Sequence, residues 1–287
     1  MDFYSPLRYP GGKGKIAEFV KSVFKQNLLL DGCYVEPYAG GASVALSLLF
    51  DGYASRIIIN DFDRSIFAFW HSVLNNTDEL CKKINNAKIN VKNWRLQKQI
   101  QTTKEKANLL DLGFSTFFLN RVNRSGIIKG GVIGGIKQTG NFKIDARFNK
   151  PDLIKRIRRI AGFKNRISLY NLDAIDLIKL LSKKLPHKTL VYFDPPYYIK
   201  GKDLYVNHYK HDDHVIVSKV VQGLIKHKWI VSYDSTPEIR SLYKNNKKFE
   251  YSLSYSAVNA KKGKEIMFFH KDLYIPKNLS NLLMKSA

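Results

Sequence analysis

Five times along this chain a short run of β-branched and aromatic residues stops at a loop and gives way to helical periodicity. The runs are Cys33–Glu36, Arg56–Asn60, Ile167–Tyr170, Leu190–Phe193 and Trp229–Tyr233. Helical patterns follow them at Ala42–Phe50, Arg64–Leu74, Ala174–Leu185, His211–Lys226 and Pro237–Asn245. Parallel strands need a crossover between them, usually a helix, so this rhythm predicts an α/β fold on a mostly parallel sheet. An amphipathic pattern from Lys15 to about Leu29 adds a helix before the first strand. Tyr251–Ala257 and Glu265–His270 read as closing antiparallel strands.

The rhythm breaks between Asn75 and Arg166. This segment is rich in Lys, Asn and Gln. It holds one helical stretch near Asp111–Val122, a glycine-rich run from Gly126 to Gly140 and a hairpin pattern around Asn141–Phe148. We read it as an insertion, so that 1–75 and 167–287 form one domain around an inserted region 76–166. Charge follows the same division. The chain carries 48 Lys and Arg against 24 Asp and Glu, a formal net charge of +24. Between Lys82 and Arg166 there are 21 basic and 4 acidic residues, so that stretch alone holds +17. Positive charge gathered in one segment marks a surface for a polyanion rather than general solubility.

Other classes are excluded by composition. The two cysteines, Cys33 and Cys81, show neither a CxxC nor a metal-ligand spacing, which argues against a disulfide framework or a zinc site. Met1–Gly12 lacks the basic-then-apolar form of a signal peptide, and no run approaches the roughly 18 apolar residues of a membrane span. A soluble, cytoplasmic protein is expected.

Three loops at the carboxyl ends of predicted strands carry the chemistry, where open α/β sheets bind ligands. The first is Glu36-Pro37-Tyr38-Ala39-Gly40-Gly41-Ala42-Ser43, whose small residues let a ligand approach the backbone; a glycine turn without a ligand would look the same. The second ends in Asp61, placed to accept hydrogen bonds from both hydroxyls of a ribose or simply to cap the next helix. Together the two point to a nucleoside-containing cofactor. The third, Asp194-Pro195-Pro196-Tyr197, follows a wholly apolar strand. Two prolines remove two backbone donors, so the loop offers a carboxylate and carbonyls, all acceptors, beside an aromatic ring. That set suits a planar base with an exocyclic amine. Asp194 and the Pro195 carbonyl would accept its two N–H bonds while Tyr197 stacks on the flipped ring. A C5-cytosine mechanism would need a nucleophilic cysteine in a Pro-Cys loop, and neither Cys33 nor Cys81 lies in one.

With these residues in place the chain resembles the Dam-type, D12 class, DNA adenine N6-methyltransferases over essentially its whole length. The carriers are Pro6-Leu7-Arg8-Tyr9-Pro10-Gly11-Gly12-Lys13, the Tyr34–Val44 loop region, the Asp194–Tyr197 motif, and Val231-Ser232-Tyr233-Asp234-Ser235-Thr236, in that order. The resemblance implies a Rossmann-like S-adenosylmethionine-dependent sheet with an inserted, mostly helical and hairpin target-recognition domain. It implies S-adenosyl-L-methionine as methyl donor and no metal. Tyr9 and Lys13 would contact the cofactor, with Glu36, Pro37, Tyr38, Gly40, Gly41 and Ser43 around its methionine end. Asp61 would hold the ribose and Asp173 would lie near the cofactor adenine. Asp194 would contact both cofactor and target amine.

The implied partners are double-stranded DNA and, where the chain is half of a restriction–modification pair, a cognate endonuclease. Leu119–Lys129 resembles the family's DNA-contacting stretch, which makes Arg121, Arg124, Ser125 and Lys129 the expected DNA-binding residues. Asn123, Arg124 and Ser125 depart from its usual pattern, so a GATC target does not follow. Two alternatives stay open at this point. One is an amino methyltransferase acting on RNA adenine or cytosine N4, and the other is a catalytically silent DNA-binding protein of the same fold.

Overall fold

A computed structural model describes residues 4–8, 14–199, 209–254 and 262–276. Its first elements are α1 (Gly14–Gln26), β1 (Gly32–Glu36), α2 (Ser43–Phe50) and β2 (Ala54–Asn60). Next come α3 (Arg64–Asn75), α4 (Thr77–Asn86), α5 (Val91–Thr102), α6 (Leu109–Val122), α7 (Lys150–Ala161) and β3 (Ile167–Tyr170). Then follow α8 (Ala174–Leu181), β4 (Thr189–Phe193), α9 (His211–Gln222), β5 (Lys228–Asp234) and α10 (Pro237–Leu242), and last β6 (Lys247–Ser254) and β7 (Lys262–Phe269). The chain clusters into two compact units, one of Met1–Pro10 with Phe62–Asn171, the other of Gly11–Asp61 with Leu172–Ala287. Among the described residues no helix is long and apolar enough to cross a membrane.

Six of the seven described strands lie in the second unit, side by side in the order β2-β1-β4-β5-β7-β6. β1 pairs in parallel with β2 on one side and β4 on the other, and β4 pairs in parallel with β5. β7 runs antiparallel to β5, and β6 antiparallel to β7, so the expected closing strands are present. Every residue of β1 and β4 is buried, as central strands covered on both faces require. Two aromatic contacts show which helices cover which face. Phe269 meets Phe19 of α1, with ring centroids 6.2 Å apart, while Phe268 stacks on Tyr243, just after α10, at 4.7 Å. Consecutive strand residues point to opposite faces, so α1 and α10 flank opposite sides of the sheet. From β1 the chain moves outward to β2, yet its other neighbour is the much later β4. Strand order reverses there, which opens a crevice at the carboxyl ends of β1 and β4.

In the first unit α6 is the centre. Leu112, Phe117, Phe118, Leu119 and Val122 are buried, and so are the polar Ser115, Thr116 and Asn120. Gly113 permits the close approach of α3, since a Cβ there would lie 2.5 Å from the Ala68 carbonyl oxygen. Phe117 stacks on Phe69 at 5.9 Å and meets Phe148 edge-on at 5.5 Å. The buried hydroxyls have partners: Ser115 Oγ donates to the Gln97 carbonyl at 2.7 Å, and Gln101 Nε2 donates to Ser115 Oγ and Thr116 Oγ1 at 3.0 and 3.1 Å.

The first unit is mostly helical, as the resemblance implied for the inserted region, and helices α4, α5 and α7 fill stretches in which the sequence pattern placed no individual helix. The signal for α7 was there: Asn149 accepts from Asp152 N, Pro151 sits in the first turn, and Leu153, Ile157 and Ile160 form a buried stripe. The hairpin expected at 141–148 is absent, and that segment consists of turns and bends. Gln138 supplies the reason. Its Nε2 donates to the carbonyls of Ile133 and Gly135 at 2.8 and 2.6 Å, and its Oε1 accepts from Ile144 N at 2.8 Å. One side chain thus takes main-chain groups that a strand ladder would have used.

Candidate active site

β1 ends in Glu36, whose buried carboxylate accepts the Tyr34 hydroxyl at 2.9 Å. Burial first, and then this carboxylate, push the Tyr34 phenol well above its usual range, so it remains a donor. The following loop turns tightly. Gly40 has φ +48°, the left-handed region that favours glycine, and Ala42 is held at φ +48° immediately before α2. For alanine that conformation costs about 1–2 kcal/mol, so the surroundings must enforce it. Part of the enforcement is Asp61, whose Oδ2 accepts from Gly40 N at 2.9 Å. Pro37 and Gly41 are buried, while Tyr38 and Ser43 are half-buried; the Tyr38 hydroxyl lies 3.2 Å from that of Tyr209.

Asn60 ties these loops together. Its Nδ2 donates to the carbonyls of Pro37 and Leu172 at 2.8 and 2.9 Å, and its Oδ1 accepts from Leu172 N at 2.9 Å. Its own carbonyl accepts from Ala39 N at 2.8 Å. One buried amide thereby brings the Glu36–Ser43 loop, Asp61 and Asp173 into one neighbourhood. Asp173 caps α8, its carboxylate accepting from Ile175 N at 2.8 Å. Asn60→Ala should lower unfolding stability by at least about 2 kcal/mol, because each buried main-chain group left unpaired costs roughly 1–3 kcal/mol. Urea denaturation checks this, and an unchanged midpoint would mean that other contacts hold the loops.

The acceptor loop begins at the end of β4. Asp194 is half-buried, Pro195, Pro196 and Tyr197 are buried, and Tyr198 is half-buried. Ser232 Oγ donates to Asp194 Oδ1 at 2.7 Å, and the Tyr192 hydroxyl lies 2.9 Å from Ser232 Oγ. The Tyr197 hydroxyl donates to Glu265 Oε1 at 2.6 Å, which anchors the ring at its far end. The other oxygen of Glu265 accepts the Tyr251 hydroxyl at 2.8 Å. Burial, followed by this carboxylate, pushes the Tyr251 phenol well up. Asp234 clasps the loop's exit, its two carboxylate oxygens accepting from Tyr198 N at 2.8 Å and Ile199 N at 3.0 Å.

Asp234 and Glu265 face each other across the β5–β7 pair. Two like charges so placed repel, and the donors of the 197–199 segment offset that cost. Ser232 and Asp234 lie in the Val231–Thr236 motif but were given no role from the sequence, and Glu265 was not singled out at all. The alternation of Ser232 and Asp234 toward one face of β5 was the available signal.

The residues expected to meet DNA divide into two kinds. Arg121 is half-buried and turned inward: its Nε donates to the Arg147 carbonyl at 2.7 Å, and its Nη1 lies 3.5 Å from the Pro6 carbonyl. Burial, then the nearby Arg8 and Arg156, lower its pKa to about 10. Arg124 and Lys129 are exposed on a loop between them, and Ser125 sits there at φ +54°. Asn120 and Asn123 hold that loop from inside. Asn120 Nδ2 donates to the carbonyls of Arg8 and Gly126, and Asn123 Nδ2 to those of Ile127 and Ile128. Asn123 Oδ1 accepts the Trp94 indole N–H at 2.7 Å. Tyr9 and Lys13 lie outside the described residues. Among the described residues no group of three His, Cys, Asp or Glu side chains is arranged to hold a metal ion.

Comparison with known proteins bears on this arrangement. Among curated proteins, the type II methyltransferase M.MjaIII of Methanocaldococcus jannaschii is 19% identical over 206 residues, covering 67% of this chain and 68% of that protein. Among solved structures, the Pyrococcus horikoshii protein PH1948, assigned as an RNA methyltransferase, aligns with 92% of this chain and 84% of its own at 9% identity and a TM-score of 0.41. The rRNA methyltransferase aviRa of Streptomyces viridochromogenes aligns with 93% of this chain and 87% of its own at 10% identity and a TM-score of 0.37. Likenesses that faint decide nothing about substrate. The family model for D12 class N6 adenine-specific DNA methyltransferases, however, matches residues 9–259, nearly the whole chain and all of these loops. The chain belongs to the D12 class N6 adenine-specific DNA methyltransferase family.

Proposed function

We propose that this protein transfers the methyl group of S-adenosylmethionine to the N6 amine of adenine at a specific sequence in duplex DNA. The observation that carries the reading is the acceptor loop Asp194–Tyr197, which lies at the strand-order reversal beside the Glu36–Ser43 loop and within one unit. The donor set fits the cofactor. Residues 36–43, 60–61, 172–173 and 194–199 contain four carboxylates, Glu36, Asp61, Asp173 and Asp194, and no Lys or Arg. In a chain of net charge +24 that composition suits a ligand bearing a sulfonium and an ammonium.

S-adenosylmethionine, when bound, supplies an electrophilic methyl on sulfur. Glu36 and the Gly40–Gly41 turn hold its amino-acid end, Asp61 accepts the ribose hydroxyls, and Asp173 borders the adenine. Tyr9 and Lys13 add contacts from the N-terminal segment. The carboxylate of Asp194 and the carbonyl of Pro195 accept the two N–H bonds of the target amine. That raises electron density on nitrogen and aligns its lone pair. Tyr197 stacks on the base, which requires its ring, buried here, to be uncovered as the base enters. The inserted basic region 76–166 holds the duplex, with Arg124, Ser125 and Lys129 at its surface.

The test is incubation of the full chain with S-adenosylmethionine and unmethylated genomic DNA, followed by mapping of modified bases. N6-methyladenine confined to one short motif is the expected result. Methylation of structured RNA but not of DNA would overturn the DNA reading. Cofactor binding without any transfer would favour a silent DNA-binding protein.

A further inference from the structure

Asp194 is held by a chain of hydroxyls whose direction can be deduced. An ionised carboxylate only accepts, so the single Ser232 proton points to Asp194 Oδ1, 2.7 Å away. Ser232 Oγ can then only accept from Tyr192, whose hydroxyl lies at 2.9 Å. The chain therefore runs from Tyr192 O–H through Ser232 O–H to Asp194, and both donors are closed to water at 2% and 1% exposure. Both also sit on central strands. Phe193 pairs with Val231 in the parallel β4–β5 ladder, so the next position on each strand is Asp194 and Ser232. This anchor of the carboxylate is thus part of the sheet, not of the loop.

We propose that Ser232, with Tyr192 behind it, is a positioning residue for methyl transfer that acts through Asp194. This rests on the reading of Asp194 as acceptor for the target amine. A carboxylate rotates about its last bond, and a hydrogen bond is weak when its angle falls below about 120°. Fixing one oxygen against Ser232 fixes the plane of the group and the direction in which its remaining lone pairs point. The loop backbone is retained by different contacts, the clasp of Asp234 on Tyr198 N and Ile199 N. Removing the Ser232 hydroxyl consequently loosens the carboxylate and leaves the loop in place.

Single-turnover transfer at saturating cofactor and DNA, together with direct measurement of cofactor affinity, tests this on the full chain. Ser232→Ala should slow transfer by up to about 10²-fold, the scale of a roughly 1 Å misplacement of a reacting group. Cofactor affinity should stay at the wild-type value, and the melting temperature should fall only by the few degrees that taking the acceptor from the buried Tyr192 hydroxyl costs. Ser232→Thr, which keeps a hydroxyl, should recover most of the rate. Tyr192→Phe should slow transfer less, and should add nothing in the Ser232→Ala background, because the two act as one chain. A wild-type rate in Ser232→Ala, or a loss confined to cofactor KM, would overturn the proposal, as would additive effects of the two substitutions. Wild-type protein inactive on DNA would instead overturn the function proposed above, and this inference with it.

Discussion

Asp194→Ala protein should fold, melt cooperatively and transfer methyl groups to DNA at less than about one-hundredth of the wild-type rate. The scale comes from enzymes in which one preorganised polar group at the reacting atom is worth about 10²–10³ in kcat. In the proposed mechanism the lost group is an acceptor for the amine on which positive charge develops. The effect on folding is smaller, since the substitution takes an acceptor from the buried Ser232 hydroxyl, at a cost of about 1–3 kcal/mol. Asp194→Asn separates charge from shape. It preserves an oxygen for Ser232 but removes the ionised acceptor, and its rate should fall nearly as far. Single-turnover transfer of labelled methyl groups measures both variants. Either variant within tenfold of wild type would show that the amine is activated by some other group.

Binding to duplex DNA should weaken by about 10³–10⁵ between 50 and 200 mM salt, as for proteins making some 6–10 phosphate contacts. The basis is the +17 carried by residues 82–166, which releases condensed counterions on contact. Individual residues sharpen the test. Arg124→Ala or Lys129→Ala should each reduce the salt slope by about 1, because both side chains are exposed. Arg121→Ala should leave the slope unchanged and lower stability instead, because its guanidinium is engaged with main-chain carbonyls. Filter-binding titrations across salt concentrations decide both points. A flat profile would mean that the basic region does not meet the phosphate backbone, and a lowered slope for Arg121→Ala would return that residue to the DNA surface.

The strands were legible because their signal is local. Buried parallel strands such as β4 carry unbroken apolar runs, here Leu190–Phe193, and each stops at a residue with a turn or capping role. Helices α4, α5 and α7 were hidden by the lysines on their outer faces, which dilute a stripe as clear as Leu153, Ile157 and Ile160. The failed hairpin has a different origin: the glycines of 126–140 suit many turns, and the choice among them is made by the side chain of Gln138.

In the site, the loops with glycine, proline and aspartate declared themselves. Their supports did not. Ser232 meets Asp194 across 38 positions of sequence, Asp234 meets Tyr198 across 36, and Glu265 meets Tyr197 across 68. A serine or a glutamate inside a strand has no local mark of such a role. Arg121 makes the same point in reverse: its motif suggested a contact with DNA, and only the fold shows the main-chain carbonyls to which its guanidinium donates.

The hydrogen bond between Tyr197 and Glu265 also orders events in time. Synthesis delivers the Asp194–Tyr197 loop well before β7, the strand that anchors it, since Glu265 follows Tyr197 by 68 residues. A nascent chain can therefore assemble β1, β2 and β4 while Tyr197 still lacks its anchor. Only when β7 has emerged and paired with β5 does the acceptor loop reach its final geometry. Maturation of the site is in this sense coupled to the emergence and pairing of β7.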